Sequence, residues 1–310
     1  MTPAVRRYGC LILVLLAAAA ADHAAAKSLN LSRRPAASDQ TLCDTTVSGS
    51  EHHYVVSGRI RLLVFWTGRH DVGQARFDRA ESPHGARRLA LRVGTDPERA
   101  PRRINRWGYI DETTCAAETV VTGVMTESKE QSVEQARGAA ERPKHTPLRA
   151  IHSRISGTES ITETTTIRPS RSVTYRDVDE VLLMKPSAAS VVRRTIPTDV
   201  ESGFLRAVTS LMKESVGVYR DSRRPPAGLR RVYVYGGNFY DLALRRSRQV
   251  RGPDGEELES DFAIRNRTTG TTTEFRISYA ASGHNAGVAR RIVFSPRNWL
   301  ELELRLKEPV

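Results

Sequence analysis

The sequence predicts a mainly β protein of the α+β class: an antiparallel, curved meander sheet packed on one amphipathic helix, with an N-terminal β-rich unit ahead of it. Three observations predict this. Trp299 to Leu306 alternates apolar and charged residues without a fault, so its four leucines share one face of a half-buried strand. Phe275, Ile277 and Tyr279 alternate in the same way, as do Phe262 and Ile264, and turn residues punctuate the series at Gly236-Gly237, Gly252 to Gly255, Thr269-Gly270, Ser282 to Gly287 and Ser295 to Asn298. Between Val200 and Val216, seven apolar residues recur at helical spacing, and the stripe they form has to be covered by the apolar face of the sheet.

Composition sets the outer limits. The chain has 310 residues, 39% hydrophobic and 27% charged, long enough for two domains of ordinary size or one large β domain. Ordinary Gly and Pro contents and only three Cys exclude a collagen-like chain, a small disulfide scaffold and a wholly disordered protein.

Residues 1–26 differ from the rest. Arg6 and Arg7 precede an apolar run from Leu11 to Ala21, and small residues follow up to Ala26, the pattern of a secretory signal peptide with an Ala-x-Ala site. The run is too short to span a membrane, which takes about 20 apolar residues, and no later window approaches that length. The mature protein is therefore expected to begin near Lys27, with cleavage after Ala21 or an uncleaved anchor as alternatives. It is expected in the periplasm or outside the cell, with no transmembrane segment. Cys10 lies before the apolar core and is misplaced for lipoprotein processing. The mature chain keeps Cys43 and Cys115, and in an oxidising compartment an even pair predicts a disulfide; two separate buried thiols are the alternative. Closing that 72-residue loop restricts the unfolded chain by about 4 kcal/mol.

Taken in order, residues 27–42 read as a flexible polar arm. A β-rich unit over 43–147 begins with a strand from Tyr54 to Trp66, which ends in a turn at Thr67-Gly68, and continues with short strands at Gln74 to Phe77, Arg88 to Val93 and Glu118 to Met125. Thr126 to Arg142 reads as an exposed helix. Ser153 to Arg171, rich in Ser and Thr, is either a polar linker or a pair of edge strands, and a soft boundary near Pro147 opens the second unit, 148–310. Thr198 and Glu201 form a capping box that starts the amphipathic helix, Gly203 weakens it from within, and Gly217 ends it. Asp177, Asp179 and Glu180 read as acids at the start of a short helix.

Motifs with chemistry are sparse. No glycine-rich phosphate loop, His-Glu-x-x-His helix, EF-hand or Gly-x-Ser-x-Gly elbow occurs, so no cofactor is expected and nothing marks an enzyme. Ser210 and Lys213 have the Ser-x-x-Lys spacing without its companion motifs. His52, His53 and His70-Asp71, with Asp111 or Glu112, contain ligand types. Adjacent histidines on a strand point to opposite faces, however, so no metal site is expected.

The binding candidates are two clusters, Trp66, Arg69, His70 and Asp71, and Arg106, Trp107 and Tyr109. Each sets an aromatic ring and a guanidinium beside a glycine turn, a combination that can stack on and hydrogen-bond a sugar or an acidic group. A formal charge of +13, with 42 of 48 cations Arg and clusters at Arg220 to Arg231 and Arg245 to Arg251, admits anionic partners. Asp and Glu interspersed through both clusters make the case for polyanions a weak one. The reading is a non-enzymatic binding or interaction module of the bacterial envelope, with a glycan, lipid or protein as partner. The alternatives are a hydrolase whose site one sequence does not reveal and an extracellular polyanion binder.

Overall fold

The structure, a computed structural model, describes residues 48–62, 65–83, 85–100, 103–116, 118–127, 145–186, 188–253, 255–283, 285–297 and 300–307. The signal segment, the arm, Cys43, His284, Trp299 and nearly all of the helix expected at Thr126 to Arg142 lie outside the described residues.

Among the described residues, fifteen strands form one sheet. The first eight are β1 (Ser48–Leu62), β2 (Phe65–Glu81), β3 (Arg87–Thr95), β4 (Trp107–Cys115), β5 (Glu118–Thr126), β6 (Leu148–Ser156), β7 (Glu159–Ile167) and β8 (Ala188–Thr195), each antiparallel to the one before. A short helix, α1 (Val178–Leu183), lies between β7 and β8. Then come β9 (Val200–Glu201), the long helix α2 (Phe204–Ser222), β10 (Arg230–Tyr235), β11 (Asn238–Gly252), β12 (Gly255–Asn266), β13 (Thr272–Ala280), β14 (Ala289–Arg297) and β15 (Leu300–Leu306). β15 pairs with β1, Leu304 opposite Val56, which joins the two meanders at the middle of the sheet and leaves β8 and β9 as its edges.

Those two edges face each other. The step from Thr195 to Val200 reaches at most about 18 Å, and the Ile196 amide donates to Thr158 O at 2.7 Å. The β10–β11 turn also reaches β7 and β8, since a Cβ on Gly237 would lie 3.6 Å from Thr162 and 3.5 Å from Val192. The sheet is therefore curled, and α2 occupies its concave side. Phe204, Leu205, Leu211, Met212, Val216 and Tyr219 form one core with Val56, Ile110, Val121, Ile151, Leu242, Phe262, Ile277, Leu302 and Leu304. Burying each large apolar chain stabilises the fold by about 1.5–3 kcal/mol. Polar ties fix the helix in place. Ser215, fully buried in α2, shares a hydrogen bond with the Tyr279 hydroxyl, which is also 2.8 Å from Ser260 Oγ. A smaller core lies on the outer face of the sheet, where residues 173–181 cover Trp107, Tyr109, Val124 and Leu148.

Several expectations need correcting. The helix starts at Phe204, not after Thr198, because Gly203 has φ +134, which no helix interior accepts, and Val200–Glu201 instead pairs in parallel with β10. Nor does it end at Gly217; it continues to Ser222 and stops where Arg223 turns left-handed at φ 55. Thr67-Gly68 lies inside β2, not in a turn, since the pairing runs on from Leu62↔Phe65. The boundary near Pro147 does not divide the sheet, because β5 pairs with β6 across it. Of the two readings of the Ser/Thr-rich stretch, the strand pair is the one observed, as β6 and β7. Glu303 points away from the leucines as the alternation requires, yet it is only 8% exposed: Arg291 donates to both its oxygens at 2.9 and 3.2 Å, and Arg305 covers it as well.

Candidate functional site

With the concave face filled by α2, the place where charged groups converge is a cleft of about 70 Å³ at the rim, between the β2–β3 hairpin and the first half of the helix. Arg79, Ala80 and Glu81 come from β2, Arg87 and Leu89 from β3, Glu112 from β4, and Arg206, Thr209, Ser210 and Lys213 from α2. The register explains the gathering. Leu89 stands opposite Glu112 across β3–β4, so Glu112 projects from the face that meets the helix, and successive turns of α2 place Arg206, Ser210 and Lys213 along one side.

Glu112 forms the floor of the cleft. It is 1% exposed and accepts the backbone amides of Leu205 at 2.8 Å and Arg206 at 2.9 Å, taking two of the donors that a helix start leaves open. Burial raises its pKa to about 7, and the hydrogen bonds to those amides hold it from rising further. Above it the cations are under-compensated. Arg87 donates to Glu81 at 3.0 Å and Arg79 lies 3.9 Å from the same carboxylate, so one acid serves two guanidiniums. The Arg206 guanidinium donates to the Thr114 hydroxyl, a neutral group. Lys213 has its pKa lowered, first by partial burial and then by repulsion from Arg79 and Arg87. Four cations and two acids line the cleft, one of those acids committed to helix amides, which leaves a positively charged recess fitted to an anionic group.

The sequence candidates fall elsewhere. Trp66 lies in β2 opposite Arg61, its side chain outside the described residues. Arg69 and His70 are exposed, and Asp71, with φ 55, sits where the β1–β2 register shifts and receives the Arg99 guanidinium. Arg106 donates to Glu127 O. Trp107 is wholly buried, its indole N–H 3.2 Å from Val173 O, so its ring is not open to a ligand. Tyr109 is 6% exposed; its hydroxyl donates to Asp111 at 2.8 Å, and burial together with that carboxylate pushes its pKa up to about 12. The two clusters do not meet in one site. Of the arginine runs, Arg231 pairs with Glu214 and Glu201, Arg246 with Asp261 at 2.5 Å, and Arg248 with Glu259, cross-links that consume much of the positive charge.

Sequence reading missed Arg79 and Arg87, which the β2–β3 hairpin sets side by side, and Arg206, which meets them only where α2 packs on the sheet. Ser210 and Lys213 were singled out by spacing alone, and both line the cleft.

No family model matches the chain, and no curated protein matches it either. Among solved structures, it is similar to the crystal structure of a beta-barrel-like protein of a domain of unknown function, DUF1849, from Brucella abortus, at 8% identity and a TM-score of 0.38 over 85% of this chain and 98% of that one, a likeness too slight to carry an argument about fold or function.

Proposed function

We propose that the chain is an exported binding module of the bacterial envelope that catalyses no reaction and takes an anionic group of a glycan, lipid or protein partner in the cleft beside α2. The observation that carries this reading is the convergence of Arg79, Arg87, Arg206 and Lys213 on that cleft, where Glu81 pairs with two of them. The filled concavity adds to it, since a bulky apolar ligand finds no room beside α2. Export rests on the N-terminal segment alone.

The test is binding of the mature chain to vesicles with and without anionic phospholipid, and to a heparin fragment, at several salt concentrations. Binding weakened at least tenfold by the pair Arg79→Gln and Lys213→Gln, and unchanged by Arg246→Gln, supports the cleft. No binding to any anionic probe, or equal loss in Arg246→Gln, overturns it. A steep salt slope on heparin together with weak vesicle binding turns the reading into that of a polyanion binder.

A second reading, a hydrolase, is favoured by one observation: Ser210, Lys213 and Glu112 line the same cleft, a hydroxyl beside an amine of lowered pKa. Turnover of activated esters that disappears in Ser210→Ala would establish it.

A further inference from the structure

At the β6–β8 end of the concave face the lining becomes polar. The register sets Arg149 of β6 opposite Met125 and Thr166, and the neighbouring row sets Ile151 opposite Gly123 and Thr164. Met125 and Ile151 belong to the inner core, so Arg149 and Thr164 face inward with them. Tyr235, the last residue of β10, reaches across this patch, its hydroxyl lying over Gly123 where a Cβ would be. Tyr235 is 5% exposed and its hydroxyl has no hydrogen-bond partner; the Nε of Arg149 is likewise buried and unpartnered.

Arginines of the outer face are paired across strands: Arg88 with Asp111, Arg154 with Glu118, Arg276 with Asp261, Arg291 with Glu303. Arg149 is half-buried on the inner face, and among the described residues no carboxylate lies within ion-pair distance of it. The groups it acts on electrostatically are Tyr235 and Tyr240, which burial keeps neutral. Glu112 also acts on Tyr235, but its two oxygens are taken by the α2 amides. A partly buried guanidinium with no counter-charge is disfavoured until an anion meets it, and an unmet phenol O–H beside it adds a second donor.

We propose that Arg149 and the Tyr235 hydroxyl form a binding site for the oxyanion of a small ligand, a carboxylate or a phosphate. The guanidinium supplies a planar fork, the phenol one further donor, and Thr164 a hydroxyl at the rim. Thr164 is half-buried and Ser190, opposite it on β8, is exposed, so solvent reaches this row at the β8 edge, while the Arg149 Nε and the Tyr235 hydroxyl themselves are buried. It shares no residue with the cleft beside α2 and does not depend on the function proposed for that cleft.

The experiment is thermal unfolding of the mature chain at constant ionic strength, with acetate, malonate or inorganic phosphate replacing chloride. A saturable rise in Tm with one of these anions is expected. It should vanish in Arg149→Met, need at least tenfold more anion in Tyr235→Phe, and survive in Arg246→Gln, a surface arginine of neither site. Acetate or malonate as the active anion identifies a carboxylate ligand, and phosphate a phosphorylated one. If Arg149→Met does not fold, Arg149→Lys keeps the charge but not the fork, and half-saturation should shift at least tenfold. A rise that persists in Arg149→Met, an unshifted Arg149→Lys, or no anion exceeding chloride overturns the site.

Discussion

The carboxylate of Glu112 accepts the backbone amide of Leu205 at 2.8 Å across 93 residues of sequence, so a strand supplies the cap that the helix lacks locally. Its titration gives the first prediction. Burial raises the folded pKa to about 7 from an ordinary 4.5, so the unfolded chain loses its proton first as pH rises. The stability contributed by this group is then fully present below about pH 4.5 and is lost as pH rises through about 7, by up to about 3 kcal/mol. His52 and His152, with pKa values lowered mainly by burial, act in the opposite sense below their ordinary 6.5. The parent must therefore be compared with Glu112→Gln: denaturant unfolding from pH 4.5 to 8 should show a smaller fall for the variant. Parallel curves would mean that Glu112 is ionised throughout.

Two glycines of the same region should respond in opposite directions. Gly203 has φ +134, and a Cβ there would lie 2.5 Å from the Glu112 carboxyl, so Gly203→Ala should destabilise by about 2 kcal/mol or more. Gly217 lies inside α2 with no atom near a Cβ position, so Gly217→Ala should stabilise by about 0.5–1 kcal/mol. Urea midpoints of the two variants decide the matter, and a stabilising Gly203→Ala would contradict the cap geometry.

The final strand offers a third comparison. Leu302 and Leu304 are each 5% exposed in the core shared with α2, so replacing either with Ala should cost about 2–5 kcal/mol. Glu303→Ala should cost on the order of 1 kcal/mol, more than an ordinary exposed pair, because it strands Arg291 and Arg305. The hydrogen bonds from these arginines outweigh the opposing effect of burial and lower the Glu303 pKa, so its contribution is present above the ordinary carboxylate pKa and lost as pH falls below it. Thermal unfolding of the three variants at one pH measures the difference; equal shifts would deny the strand a buried face.

Export and the disulfide can be tested on the same material. Mass spectrometry of protein from an exporting host should find a start near Lys27. Non-reducing alkylation should label no thiol, the outcome expected of a bridge between Cys43 and Cys115. A retained Met1, or two labels without reductant, would refute these expectations.

What the sequence made legible was whatever depends on local period. The leucine alternation of β15 and the apolar stripe of α2 both read correctly because each element carries its own face. The start of α2 did not, because its cap comes from Glu112 on another strand, while Thr198 and Glu201 imitate a local one. β4 was unread as a strand: Trp107 and Tyr109 pack on the outer core, Ile110 and Glu112 on the inner, so burial on both faces removes the period-two signal. β7 was ambiguous because its inward residues Ser160 and Thr162 are polar. The cleft was invisible, since Arg79 and Arg87 of the β2–β3 hairpin meet Arg206 and Lys213 of α2, more than a hundred residues further on, only when the helix packs on the sheet.

The pairing of β1 with β15 also bears on how the chain acquires its structure. The first described strand waits for the last, Tyr54 for Leu306, with the whole described chain between them. A topology with so long a closing contact folds slowly, and no meander half owns a complete interior before the final strand arrives. Until then β1 presents an unpaired edge able to template pairing with other chains. Loss of β15 should accordingly be far more damaging than its size implies, leaving an aggregation-prone chain and not a shortened fold.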